Sequence, residues 1–201
     1  MSTQPSSTGR AARAVIERTF AQHRQALEAT VPALSDALGQ AAELLCSAYL
    51  SGAKAILFGN GGSMSDALHL EGELVNRFSV DRKGVAAVAL ASPASFSATA
   101  NDYSYDDVFA RMLEAHQRPG DVALGFSTSG NSENVVRAFG KARALGLTTI
   151  GFTGQGGGRC AELSDVLLAV PHSCTPRVQE MHILMGHMLC DLVEQALLGH
   201  P

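Results

Sequence analysis

The chain has 201 residues, with 15 lysines and arginines against 19 aspartates and glutamates, a net charge of −4 and a pI near 5.9. That balance argues against nucleic acid as a main partner, which normally needs a basic patch. No run reaches the 18 or so apolar residues of a membrane span, and 46% hydrophobic content suits one globular domain with a real core.

Positions 1–10 lack the hydrophobic stretch of a secretory signal and read as a short disordered lead to a single domain over 11–201. Apolar periodicity predicts a helix over 10–29. Val31-Pro32 is expected to break it, with Pro32 in the first turn of a second helix running to about 51. This N-terminal helical hairpin has an apolar face suited to a subunit interface. Alternating elements follow. Strands are expected at 54–58, 85–90, 121–126, 147–152 and 166–170. Helices are expected at 64–78, 92–99, 105–116, 133–144 and 175–198. Such alternation implies right-handed crossovers and a parallel sheet covered on both faces, a three-layer α/β unit.

In such a sheet, ligands bind beyond the carboxyl ends of the strands. The stretch Asp121-Val-Ala-Leu-Gly-Phe-Ser-Thr-Ser-Gly-Asn-Ser132 runs a buried strand into four hydroxyls and Gly130 at a helix start. Free N–H groups, the helix dipole and the hydroxyls of Ser127, Thr128, Ser129 and Ser132 make a phosphate cradle, though the same residues also suit an ordinary N-cap. Gly59-Asn60-Gly61-Gly62-Ser63 forms a second strand-end turn, with glycines that permit close approach of a ligand or simply a tight bend. It matches neither GxGxxG nor a P-loop. Asn101-Asp102 lies in a third connection.

His69 and Glu73, at i and i+4, share a helix face among Leu68, Leu70, Leu74 and Val75. An interior pair fits acid/base or metal chemistry; an exposed one is a surface ion pair. In the last helix, Gln179, Glu180, His182 and His187 sit among apolar residues. Each histidine is either a hydrogen-bonded core residue or a ligand. His69, Glu73, Gln179 and His187 together form an N/O donor set suited to zinc, although glutamine is an uncommon ligand. Cys46, Cys160, Cys174 and Cys190 form no CxxC pair, which points to reduced, mostly buried thiols and a cytoplasmic location.

Taken in order, Gly59-Asn-Gly-Gly-Ser63, His69-x-x-x-Glu73, Asn101-Asp102, Ser127-Thr-Ser-Gly-Asn-Ser132 and Gln179-Glu-x-His182-x-x-x-x-His187 resemble the phosphoheptose isomerases of the sugar isomerase (SIS) superfamily. The resemblance covers nearly everything after about residue 10. It implies a five-stranded parallel flavodoxin-like sheet and an aldose–ketose isomerase. The reaction implied converts D-sedoheptulose 7-phosphate to D-glycero-D-manno-heptose 7-phosphate, the first step of nucleotide-activated heptose biosynthesis. By carry-over, Ser127, Thr128, Ser129 and Ser132 hold the phosphate with Ser63 nearby. Asn60, Gly61, Gly62, Asn101 and Asp102 line the sugar, together with Glu73 and Gln179. Glu73 and His187 are the acid/base pair, and His69, Glu73, Gln179 and His187 bind one Zn2+. The resemblance also implies a homotetramer with active sites at subunit contacts. Some relatives carry an acidic residue where this chain has Pro176, which weakens any catalytic acid at that position.

Two other readings compete. SIS-domain scaffolds that associate with the replication initiator protein keep the fold and tetramer without the catalytic residues. Glu73 and His187 speak against that, since a binding scaffold has no need of them. A sugar-phosphate sensor is the third reading, and no DNA-binding segment accompanies it here.

Overall fold

The structure is a computed structural model that describes residues 7–198. Positions 1–6 of the expected lead lie outside the described residues, while 7–10 already belong to the first helix. That helix, α1 (Ser7–Leu50), is continuous, so the expected hairpin is replaced by one rod of 44 residues with Pro32 inside it. The reason is tertiary. Ala26, Thr30, Leu34, Leu38, Ala41, Leu45 and Ala48 form one buried stripe that crosses the proline without a break. Pro32 and Glu28 are exposed, so the Glu28 carbonyl that loses its intrahelical donor faces water. Nearby, the Thr30 hydroxyl donates to the Ala26 carbonyl at 2.7 Å and that of Ser35 to Val31 at 2.6 Å.

The remaining elements alternate as the pattern implies. They are β1 (Ala55–Gly59), α2 (Gly62–Val75), β2 (Ala87–Ala89), α3 (Pro93–Asp102), α4 (Val108–His116), β3 (Val122–Ser127), α5 (Glu133–Ala144), β4 (Thr148–Thr153), β5 (Val166–Ala169) and α6 (Thr175–Leu198). All five strands are parallel, in the order β2-β1-β3-β4-β5. That is the flavodoxin-like order, whose switch point lies between β1 and β3. Every residue of β1 and β3 is buried, as expected of central strands covered on both sides.

Alternate residues of these strands feed two cores. Ala55, Leu57, Val122, Leu124 and Phe126 join α1, α2 and α6 on one face. Ile56, Phe58 and Ala123 join α4 and α5 on the other. α1 begins with an apolar face that the single chain leaves uncovered: Val15, Ile16 and Phe20 are 49%, 54% and 68% exposed.

Candidate active site

Gly59 pairs with Phe126, so the loops after β1 and β3 leave the sheet level with each other at the switch point. After β3, Gly130 adopts φ +65° and its N–H returns to the Ser127 carbonyl at 2.9 Å. A Cβ on Gly130 would stand 1.9 Å from the Gly157 carbonyl oxygen, so a second glycine turn packs directly onto this loop. The Cys160 N–H donates to the Gly130 carbonyl at 2.9 Å and fastens the two turns together. Ser132 occupies the N-cap of α5, yet its hydroxyl makes no capping bond. It meets the Ser127 hydroxyl at 3.0 Å instead, and Ser129 Oγ lies 3.5 Å from Ser127 Oγ. The hydroxyls thus converge on one another at the helix start, which is the arrangement an anion can enter.

The turn after β1 is narrow for packing reasons. A Cβ on Gly59 would come 2.8 Å from Ser63 Cβ, and one on Gly62 would come 2.7 Å from Gln179 Nε2. Gly61 has φ +55° and caps α2. Ser63 is buried. Asn60 exchanges two 2.8 Å amide bonds with Asn134 and accepts a third from the Tyr105 hydroxyl at 2.9 Å. Beside it a cleft of about 290 Å3 is lined by Asn60, Gly61, Met64, Phe96 and Tyr105. A larger cleft, about 480 Å3, lies by Tyr49 and Val85 at the amino ends of β1 and β2 and is lined by none of the candidate residues.

Farther along α2, that helix and α6 bring His69, Glu73 and His187 together. His69 Nε2 is 2.9 Å from His187 Nε2 and 3.4 Å from Glu73 Oε1. The Phe78 ring packs on the His187 ring with centroids 5.6 Å apart. This face is more open than its apolar neighbours suggest, with the side chains of His69 and Glu73 48% and 26% exposed. Gln179 turns to Asp66, Nε2 to Oδ1 at 3.4 Å, rather than to the histidines. Asn101 and Asp102 form the last turn of α3, not a loop, and bond to each other at 2.8 Å on the surface. His182 is a core residue: its Nε2 donates to the Thr153 carbonyl at 3.0 Å, and burial pushes its pKa down to about 4.

Three polar residues at this site escaped the sequence reading. Asp66 is 6% exposed, its Oδ2 has no hydrogen-bond partner, and burial raises its pKa against the Gln179 bond and the charge of His69. Its signal was there, since it precedes His69 by three residues on the same helix face. Asn134 and Tyr105 had no such signal, because they reach Asn60 from distant parts of the chain.

Two imidazole nitrogens beside a carboxylate oxygen are donors of the kind zinc takes. Nitrogens on one tetrahedral zinc stand about 3.4 Å apart, given bonds of about 2.0–2.1 Å, so the His69–His187 pair at 2.9 Å would have to open slightly. Among the described residues, no group of three or more His, Cys, Asp or Glu side chains is already arranged around an ion position.

Residues 19–154 match the SIS domain family. The phosphoheptose isomerase of Helicobacter pylori is 45% identical over 182 residues, covering 90% of this chain and 95% of that one. The phosphoheptose isomerase of Paramagnetospirillum magneticum is 46% identical over 180 residues, with 89% and 94% covered. The chain belongs to the phosphoheptose isomerase family. It is an enzyme of the isomerase class. The solved phosphoheptose isomerase of Neisseria gonorrhoeae superposes with a TM-score of 0.87 at 37% identity, over 92% of this chain and 99% of the other. Within this family fold, the five-stranded parallel sheet and its carboxyl-end loops agree with the architecture expected from the sequence.

Proposed function

We propose that the chain interconverts D-sedoheptulose 7-phosphate and D-glycero-D-manno-heptose 7-phosphate through an enediol. The observation that carries this reading is the junction of Glu73 and His187 through His69, in a chain that also carries a hydroxyl-lined helix start after β3.

The phosphate is held by the hydroxyls of Ser127, Thr128, Ser129 and Ser132 and the first amides of α5, with Ser63 close by. Binding there fixes where C1 and C2 fall, so the handle contributes orientation at the reacting end. Asn60, Gly61, Gly62, Asn101, Asp102 and Gln179 line the sugar. The Glu73 carboxylate takes the proton from C1, leaving an enediol, and returns it to C2. His187 moves the proton between the two oxygens, so the carbonyl passes from C2 to C1 with no net redox change. His69, Glu73, Gln179 and His187 are the residues that would hold the metal. Zinc held there would supply a Lewis acid for the carbonyl and for enediolate charge.

We also assign residues 11–201 to one domain that assembles as a homotetramer, for which exposed Val15, Ile16 and Phe20 offer an apolar surface. The expected setting is the cytoplasm, at the first step of nucleotide-activated heptose biosynthesis. Among the described residues no helix is long and apolar enough to cross a membrane.

The test is NMR observation of the purified protein, zinc supplied, with either heptose 7-phosphate. The parent is expected to equilibrate the two sugars, while Glu73→Gln and His187→Gln each lose about a hundredfold or more in kcat. Full turnover in both variants removes their roles. A zinc-loaded parent with no turnover points to a binding-only scaffold.

A further inference from the structure

We infer that a buried Arg82–Glu194 clamp is a positioning device that sets the approach of Glu73 to His187; the inference rests on the isomerase reading above. Arg82 follows α2 by seven residues, and its side chain is 3% exposed. Its Nη2 donates to the main-chain carbonyl of Glu73 at 2.9 Å, and its Nη1 donates to that of Leu74 at 2.9 Å. These are carbonyls of the last helical turn, which have no donor within α2 itself. The same guanidinium places Nε 3.1 Å from Glu194 Oε1 as an ion pair without a hydrogen bond, since the buried Nε has no hydrogen-bond partner.

Glu194 is 1% exposed and belongs to α6, seven residues beyond His187 and so on the same helix face two turns along. Its second oxygen accepts from the Ser79 amide at 2.8 Å and the Ser79 hydroxyl at 3.1 Å, and Oε1 accepts from the Val80 amide at 3.3 Å. That fixes the connection starting at Phe78, whose ring packs on His187. One continuous chain of contacts therefore runs from the Glu73 backbone, through Arg82 and Glu194, to the helix that carries His187.

A buried ion pair is a poor way to gain stability, because apolar residues of similar volume commonly do as well. What the fork supplies is direction: its two terminal nitrogens each bond a carbonyl of α2, a relation that no apolar contact imposes, while the Glu194 carboxylate beside Nε contributes charge. Arg82 and Glu194 touch no substrate in this account and act through Glu73 and His187.

The decisive variant is Arg82→Lys, which keeps the charge but cannot span both carbonyls and the carboxylate. Glu194→Gln and the milder Ser79→Ala accompany it, so that a folded variant is available if one of them unfolds. Lys54→Met, which breaks the Lys54–Asp121 pair just before β1 and β3, serves as the purely structural reference. Two quantities are read: the kcat and KM of the isomerisation, and the ring resonances of His187 in the zinc-loaded protein. The clamp variants are expected to lose about ten- to hundredfold in kcat, with KM within threefold and His187 signals displaced. Lys54→Met is expected to lower the thermal midpoint and move neither. A folded clamp variant with kcat within twofold of the parent, or with unmoved His187 signals, overturns the inference. A parent without turnover overturns the isomerase reading instead, and the His187 signals still decide the clamp.

Discussion

Gly130→Ala tests the candidate phosphate loop through its backbone. The residue sits at φ +65°, where an alanine costs about 1–2 kcal/mol. Its new Cβ would also lie 1.9 Å from the Gly157 carbonyl oxygen, about 1.5 Å inside ordinary contact. Forcing the two turns apart adds about 1–3 kcal/mol of overpacking. The sum, about 2–5 kcal/mol, corresponds to a fall in thermal midpoint of roughly 4–20 °C for a chain of this size. Gly146→Ala is the matched control: φ is +75°, nothing lies within 4 Å of the added Cβ, and the site is remote. It is expected to cost only the conformational 1–2 kcal/mol or so. Circular dichroism melts give the stability arm, and KM with inorganic-phosphate competition gives the binding arm. Gly130→Ala is expected to raise KM about tenfold or more, and Gly146→Ala to leave it unchanged. If the two variants melt together and bind phosphate alike, the contact between the turns does not shape the anchor.

Two further substitutions probe the frame. His182 is buried with its pKa pushed down to about 4, so the unfolded chain binds a proton that the folded one refuses. Its contribution is therefore complete above about pH 6.5 and is lost as pH falls from there to 4, by at most about 3 kcal/mol. His182→Phe, at a position packed edge-on against the stacked Phe126 and Phe152 rings, should flatten that part of the stability–pH curve. An unchanged slope in urea titrations would show that another group carries it. Pro32→Ala restores an N–H for the Glu28 carbonyl in the middle of α1. Removing a proline penalty of about 3 kcal/mol, less about 1 for the freer unfolded chain, should raise the melting temperature by roughly 4–8 °C. A lower melting temperature would mean that α1 needs the proline.

Local chemistry was legible where one segment carries it. The Ser127–Ser132 loop, the Gly59–Ser63 turn and the His69/Glu73 spacing are each contained within a few residues, and the alternating strand pattern dictates a parallel sheet. Pro32 misled because helix breaking is a local rule, and the buried stripe from Ala26 to Ala48 overrides it by packing against α6 and β5. Gln179 was grouped with the histidines as one of an N/O donor set, but its side chain lies over Gly62 and turns to Asp66. The links from Tyr105 and Asn134 to Asn60, and from Arg82 to Glu194, span 45 to 112 positions, and no periodicity announces them.

The two cores have a consequence for substrate size. α2 and α6 rest on one face of the sheet and α5 on the other, so the proposed reacting groups and the proposed anchor belong to opposite layers. Under the proposed roles, a bound sugar phosphate has to reach from one layer to the other, as an object held in the jaws of a caliper. The carbon-chain length that fits is then set by the gap between layers. A volume change at Phe139, on the face of α5 that packs against Gly125 and Phe58 of the sheet, would shift one jaw and leave Glu73 where it stands.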